Sequence, residues 1–399
     1  CIETIVPQIC GSLTNTTCIC TDTQLPVTLE PCIVSACNVT DELQLQRYSA
    51  QTCGRANDKS RQLGQLRVTY VLPALAALFV LARLYVRIKL TIGLGADDWT
   101  MLAALCAYLA MVGTGISMAL QGFGQHTFWL SIDEITRALM FFYLSEICYL
   151  PAITLTKISL LLFFARVFPH PRFRMGIWAM LGFVFLSNFS IIMVIIFQCV
   201  PVHANWTNWT YKVPPVKCIN RFIAAYAAAG MSILHDVIIL LMPIPILARL
   251  NLPWHKKLNV LVMFLVGSFV IICSIFRLPT LMKLKGSTDP SYDQAPIAIW
   301  TDLEVGVGII CGCLPSFRSL IGYMFPSLKM SLVPSYEGNT LVHWAGSRSK
   351  NKQNSAGLNT GVASFMELED LYGSRHNLNQ TKNEQRSAIT RGSGASITE

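Results

Sequence analysis

Residues 175–199 read MGIWAMLGFVFLSNFSIIMVIIFQC, a run of twenty-five positions without one charged side chain. A helix rises about 1.5 Å per residue, so such a run crosses a hydrocarbon layer of about 30 Å with length to spare. Working outward, similar stretches occupy 66–88, 97–120, 135–165, 219–248, 258–282 and 294–324. Composition agrees: hydrophobic residues make up 53% and charged residues 13% of the 399, whereas about a quarter of a soluble domain is charged. Mean hydropathy is +0.47. The sequence therefore predicts an all-α membrane protein, a seven-transmembrane helix bundle over 66–324. Several stretches exceed a perpendicular crossing, which predicts tilt. Pro243, Pro245, Pro279 and Pro315 are expected to interrupt helices near span ends. Gly308 and Gly312 place a small-residue face on the last span, as close packing within one bundle requires.

The formal net charge is +9, from 31 basic and 22 acidic residues. The basic residues gather at one set of span ends: Arg83, Arg87 and Lys89, then Arg166, Arg172 and Arg174, then Arg249, Lys256 and Lys257. The loop over 121–133 has no Lys or Arg. This is the positive-inside pattern and not a nucleic-acid footprint. It predicts a multi-pass plasma-membrane protein with residues 1–60 outside and a disordered tail, 327–399, in the cytosol. Asn15, Asn38, Asn205 and Asn208 head N-x-Ser/Thr triplets on the expected outer side and are candidate glycan acceptors. Asn188, inside a span, and Asn379, in the tail, are chance matches to the same triplet.

The segment over 1–60 carries Cys1, Cys10, Cys18, Cys20, Cys32, Cys37 and Cys53, too crowded for a large core and odd in number. An exported module of this kind is closed by disulfides, and the odd count implies a partner upstream of Cys1 or a free thiol. Metal binding by the same thiols is the alternative reading. A targeting segment is expected to have been removed ahead of Cys1. The Cys18-Ile19-Cys20 pair and its flanking spacings resemble the CFEM domain, an eight-cysteine fungal extracellular module. That resemblance implies a small disulfide-rich helical domain with bridges Cys1–Cys32, Cys10–Cys18 and Cys20–Cys53, leaving Cys37 for a cysteine missing upstream. Some members of that family bind haem through an Asp three residues before the fourth cysteine, where this chain has Asn15. A neutral amide is a poor ligand for ferric iron, and a glycan on Asn15 would obstruct a porphyrin face. Asp22 is a weak substitute whose ordinary reading is a turn or helix cap. No cofactor is expected.

The spans carry a second resemblance. Arg83-Leu84-Tyr85-Val86-Arg87, Gly95-Ala96-Asp97-Asp98-Trp99, Lys157-Ile158-Ser159, Gln198-Cys199-Val200-Pro201, Asp236 with Pro243 and Pro245, and Trp300 with Glu304 are similar to the fungal rhodopsin-like seven-helix family. With the CFEM-like head, this implies a receptor of the kind associated with surface sensing and development. Ionised groups in lipid are costly and mark function or pairing. Glu146, Arg277, Asp302 and Glu304 fall in the outer half and, with Trp300, are candidates for a ligand pocket. Trp300 and Glu304 share a helix face that Asp302 does not, so Glu304 is expected to meet Arg277. A buried structural ion pair is the alternative. Lys157 and Asp236 form a second expected pair deeper in, either a brace or a switch. Asp97 and Asp98 beside Arg83 and Arg87 read as a coupling latch or as a salt-bridge cluster fixing a short loop. Cys199 and Cys218 are expected to bridge a lid over the pocket.

Retinal needs a lysine in the last span, and 294–324 has none. The third and seventh spans end in Phe164-Ala165-Arg166-Val167 and Cys313-Leu314-Pro315-Ser316-Phe317-Arg318, neither of which is an animal-receptor signature. An intramembrane hydrolase is disfavoured because only His235 of the seven histidines lies well inside a span. A transporter is disfavoured because no inverted repeat is evident. The leading expectation is a receptor that passes a helix rearrangement to a cytosolic partner such as a heterotrimeric G protein. Its contact segments would be Arg166, Arg172 and Arg174 and Arg249, Lys256 and Lys257, unless these only enforce topology. The tail stretch Phe365–Leu371 is a further docking candidate. The second expectation is an uptake protein whose head captures haem or a surface polymer, anchored by the bundle.

Overall fold

The computed structural model describes residues 1–22, 24–90, 93–168, 170–209, 217–245, 254–284, 287 and 289–324. The tail over 327–399 and Arg249 lie outside the described residues, as do the side chains of Lys256 and Lys257. Seven helices are long and apolar enough to cross a membrane. In chain order they are Ser60–Leu90, Ala96–Leu120, Ile132–Val167, Pro171–Ile196, Arg221–Leu241, Trp254–Leu284 and Pro290–Met324, called here the first to seventh spans.

Most helices outrun the apolar stretches that predict them. The third begins at Ile132 because Ser131 and Glu134 form a capping box that satisfies its first free amides. The seventh begins at Pro290, where proline's fixed φ suits a first turn. Pro243 does lie just beyond the fifth span, which ends at Leu241. Pro279 and Pro315 correct the expectation of interruption, since the sixth and seventh helices run through them. In lipid no water replaces a broken backbone bond, so continuing the helix costs less than ending it.

The first span packs on the seventh, the second on the third, and the sixth on the seventh. Their shared core holds Val80, Met101, Tyr108, Ile153, Val305 and Ile309, all nearly inaccessible. Trp178, Phe185 and Leu186 on the fourth span are 58–66% exposed, the outward apolar surface that lipid covers. Gly312 sits against the Met101 methyl, so a larger residue there would have to displace the Met101 side chain.

The head is four helices, α1 (Ile2–Cys10), α2 (Thr16–Thr21), α3 (Gln24–Ala36) and α4 (Val39–Thr52). Its core is little more than Val6, Cys10 and Leu25. Disulfides Cys1–Cys32, Cys10–Cys18 and Cys20–Cys53 supply what so small a core cannot, and Cys37 is exposed and unpaired among the described residues. A fourth disulfide, Cys199–Cys218, joins two-residue strands Cys199–Val200 and Lys217–Cys218 between the fourth and fifth spans. The short helix Ala204–Thr207 packs from this loop onto the third span.

Candidate functional site

The interior of the bundle holds one continuous line of polar groups. Arg277 on the sixth span donates from Nη1 to Glu304 at 2.9 Å and to the Tyr149 hydroxyl at 2.6 Å. Tyr149 in turn donates to Glu304 at 2.9 Å. Glu304 also accepts from Ser274 at 2.7 Å and Ser232 at 3.0 Å, so four side chains from the third, fifth and sixth spans converge on one carboxylate of the seventh. The line continues through Ser232, whose hydroxyl and carbonyl both lie 2.9 Å from the Lys157 ammonium. Lys157 then pairs with Asp236 at 2.9 Å. Glu304 is 1% exposed and Arg277 7%, so the ions are compensated by one another and not by water.

Tyr149 and the two serines are the members that sequence reasoning missed. Uncharged hydroxyls are common in spans, but Ser232 stands four residues before Asp236 and Ser274 three before Arg277, spacings that put each on the face of its ion.

Other pocket candidates divide. Asp302 faces away from Arg277 and accepts from Thr69 of the first span at 2.6 Å. Trp300 stacks on Phe276 with ring centroids 5.4 Å apart, at the seam of the sixth and seventh spans. Glu146 lies one turn from Tyr149 on the third span, is half-buried, and has no hydrogen bond or ion pair among the described residues. Above it, Tyr143 donates to the Ile196 carbonyl at 2.9 Å and packs 5.7 Å from Trp206 of the loop helix.

At the opposite end from the head, Arg83 is 1% exposed and fully engaged. It reaches Asp98 from Nε at 2.8 Å, Asp97 from Nη2 at 2.6 Å and the Gly312 carbonyl from Nη1 at 2.6 Å. Arg87 lies 3.4 Å from Asp97, and Ser159 donates to the Asp97 carbonyl at 2.6 Å. Arg166 also pairs with Asp97, at 3.2 Å. Of the expected contact residues Arg166, Arg172 and Arg174, Arg166 is thus the one paired within the bundle. All three are exposed, and Arg166 also closes a cluster that ties the first, second, third and seventh spans.

The head end has its own junction. Arg47 of α4 donates to the carbonyls of Phe128 at 2.7 Å and Leu130 at 2.9 Å. Asp289 accepts from His126 at 2.6 Å and from the Thr127 amide at 2.8 Å, while the His126 ring stacks 4.3 Å from Tyr292. Tyr292 donates to Asp58 at 2.7 Å. That bond, with the Ser60 amide and hydroxyl, lowers the Asp58 carboxyl to about 2. Gly124 lies close against the backbone of Gln62, and its φ of +91° is a conformation that favours glycine.

The residues nominated for haem do not fit it. Asn15 caps α2, accepting from the Cys18 amide while its own amide donates to the Cys10 carbonyl. Asp22 accepts from the Gln24 and Leu25 amides with one oxygen, the geometry of a helix cap. Among the sequons, Asn15, Asn38 and Asn208 are exposed. Asn205 is only 6% exposed, with its amide donating to the Val202 carbonyl, which corrects its nomination as a glycan acceptor.

Seven lipid-length helices behind a disulfide-closed head define a multi-pass membrane protein. The chain belongs to the fungal rhodopsin domain family, matched over residues 82–323. Its head matches the CFEM domain over residues 1–54. Among curated relatives, it is 31% identical over 195 residues to "SAT4 family membrane protein" of Emericella nidulans, covering 47% of each chain. It is 25% identical to "Fugralins biosynthesis cluster protein 2" of Gibberella zeae, over 62% of this chain and 63% of that one. It is 24% identical to "Receptor GIN3" of Arthrobotrys oligospora, over 71% of this chain and 69% of that one. The chain thus spans less than two thirds of the length of the first two. No solved structure matches.

Proposed function

We propose that the chain is a plasma-membrane receptor, head outside and tail in the cytosol, that converts binding of an extracellular cue into a helix rearrangement read by a heterotrimeric G protein. The observation that carries this reading is the line Arg277, Glu304, Ser232, Lys157, Asp236, which joins four spans through alternating charges. A ligand that competes for either end leaves buried ions unpaired, and the bundle must re-register to pair them again. Differential affinity for the two arrangements is then the signal. The Arg83 cluster holds the other end of the bundle in one arrangement until that happens.

The likeness to a protein named as a receptor supports the reading. Arg172 and Arg174, exposed between the third and fourth spans, remain the first candidates for partner contact, with Arg249, Lys256 and Lys257. The test is cue-dependent nucleotide exchange on a G-protein panel, with Arg172, Arg174, Lys256 and Lys257 each changed to Gln together. Exchange that falls at least tenfold in the variant supports the reading. Unchanged exchange removes these segments from the contact surface, and no exchange with any G protein removes the coupling.

A further inference from the structure

The junction at the head end brings three parts of the chain together around one histidine. His126 lies 2.6 Å by Nδ1 from Asp289, whose other oxygen accepts from the amide and hydroxyl of Thr127. A carboxylate engaged in this way is an acceptor, so Nδ1 carries hydrogen, and the proton that the ring gains or loses is the one on Nε2. The ring stacks on Tyr292 at 4.3 Å and on Phe128 at 5.2 Å between centroids. Tyr292 leads on to Asp58 in the segment that joins the head to the first span, and the Gly124 amide of the same loop donates to the Ser291 carbonyl at 3.2 Å. Gln125 adds the first span, accepting from Asn57 at 2.8 Å and donating to Gln62 at 2.9 Å.

The charged groups around this ring come from each element packed on its loop. The start of the seventh span supplies Asp289 and Asp293, the segment ahead of the first span supplies Asp58, and the first span supplies Arg61, which pairs with Asp293 at 2.8 Å and lies over the Tyr292 ring. Arg47 of α4 grips the loop by the carbonyls of Phe128 and Leu130. The loop over 121–131 has no other titratable side chain. Arginine keeps its charge, tyrosine and carboxylates ordinarily titrate outside pH 5–8, and Asp58 is lowered to about 2. Of the residue types at this junction, histidine alone changes charge inside that range. The His126 side chain is 27% exposed, so protons reach it from solvent.

A neutral imidazole already donates to Asp289. Protonation turns that bond into a charge-assisted one, about twice as strong as a neutral bond, and sets a cation on the Tyr292 and Phe128 rings. We propose that the head-end junction is a proton-operated clasp, in which acid tightens the hold of the loop over 121–131 on the start of the seventh span and neutralisation of His126 loosens it. The consequence for signalling rests on the receptor reading, which places this end outside the cell, but the response of the clasp does not. The seventh span also carries Glu304, so the seating of its first turns bears on the Arg277–Glu304 pair.

The experiment uses the full chain in lipid nanodiscs with isotope-labelled histidine, the His126 resonance being the one that His126→Gln removes. That resonance is expected to move between about pH 5 and pH 8. Hydrogen exchange of peptides spanning 122–130 and 289–293 is read at the same two pH values, corrected for the intrinsic effect of pH on exchange. Protection should be at least about threefold higher in acid. His126→Gln, a neutral donor, should show equal protection at both, and Asp289→Asn should lose the difference while His126 still titrates. The proposal is overturned if the His126 resonance stays still, if wild-type protection is equal at the two pH values or higher in alkali, or if either variant keeps the wild-type ratio. A clasp that follows pH while no G protein responds counts against the receptor reading and leaves the proposal standing. Cue-driven nucleotide exchange with a clasp indifferent to pH does the reverse.

Discussion

Changing Glu304 to Gln should destabilise the bundle by about 3–5 kcal/mol, the usual cost of removing one partner from a buried ion pair. The size follows from the geometry. Glu304 accepts from Arg277, Tyr149, Ser232 and Ser274. A Gln keeps one acceptor oxygen but turns an NH2 group toward hydroxyls that have been donating, so part of the network loses its acceptor. Arg277, 7% exposed, is then left ionised without a counter-charge, at a cost of at least about 2.5–3.5 kcal/mol in a membrane interior. The double variant Arg277→Met with Glu304→Gln removes both charges and should recover at least about 2 kcal/mol of that loss. Reversible detergent-driven unfolding of the four proteins in mixed micelles gives the coupling energy directly. A loss under about 1 kcal/mol for the single variant, or strict additivity in the cycle, would refute the claim that the pair is an interdependent buried unit.

Arg83→Lys should cost about 2–4 kcal/mol in the same assay, because an ammonium cannot span Asp97, Asp98 and the Gly312 carbonyl at once as the guanidinium fork does; a loss below about 1 kcal/mol contradicts this. Asp58 should titrate near 2, since its hydrogen bonds favour the carboxylate. A depressed folded value places its stabilising effect above the ordinary carboxylate pKa, with loss as pH falls toward 2, and an NMR midpoint near 4 would show the Tyr292 bond to be absent. Glycopeptide mass spectrometry should find sugar on Asn208 and none on Asn205, whose amide is buried; sugar on Asn205 would mean the loop folds differently.

Much of the architecture is readable from hydropathy and helical phase, and the limits are physical. An apolar run of span length has one fate in lipid, so the positions of the seven helices follow from sequence. Their ends do not, because polar turns such as Ser131–Glu134 extend a helix by capping that hydropathy cannot register. Depth and phase point Arg277 toward Glu304 and Lys157 toward Asp236. They say nothing of Ser232, which links the two pairs, because a hydroxyl in a span is usually spent on its own backbone. Arg166 read as a loop cation because the fold that brings Asp97 to it is a tertiary fact. The junction of the head with the bundle depends on Arg47 meeting the backbone carbonyls of Phe128 and Leu130, which leave no trace in residue type.

The most direct test is a topology measurement on intact cells with one epitope ahead of Cys1 and another after Glu399. Seven crossings require the two to lie on opposite sides, and the proposed orientation requires the first to be stained without permeabilisation and the second only after it. Staining of both ends on the same side of the membrane would contradict the account.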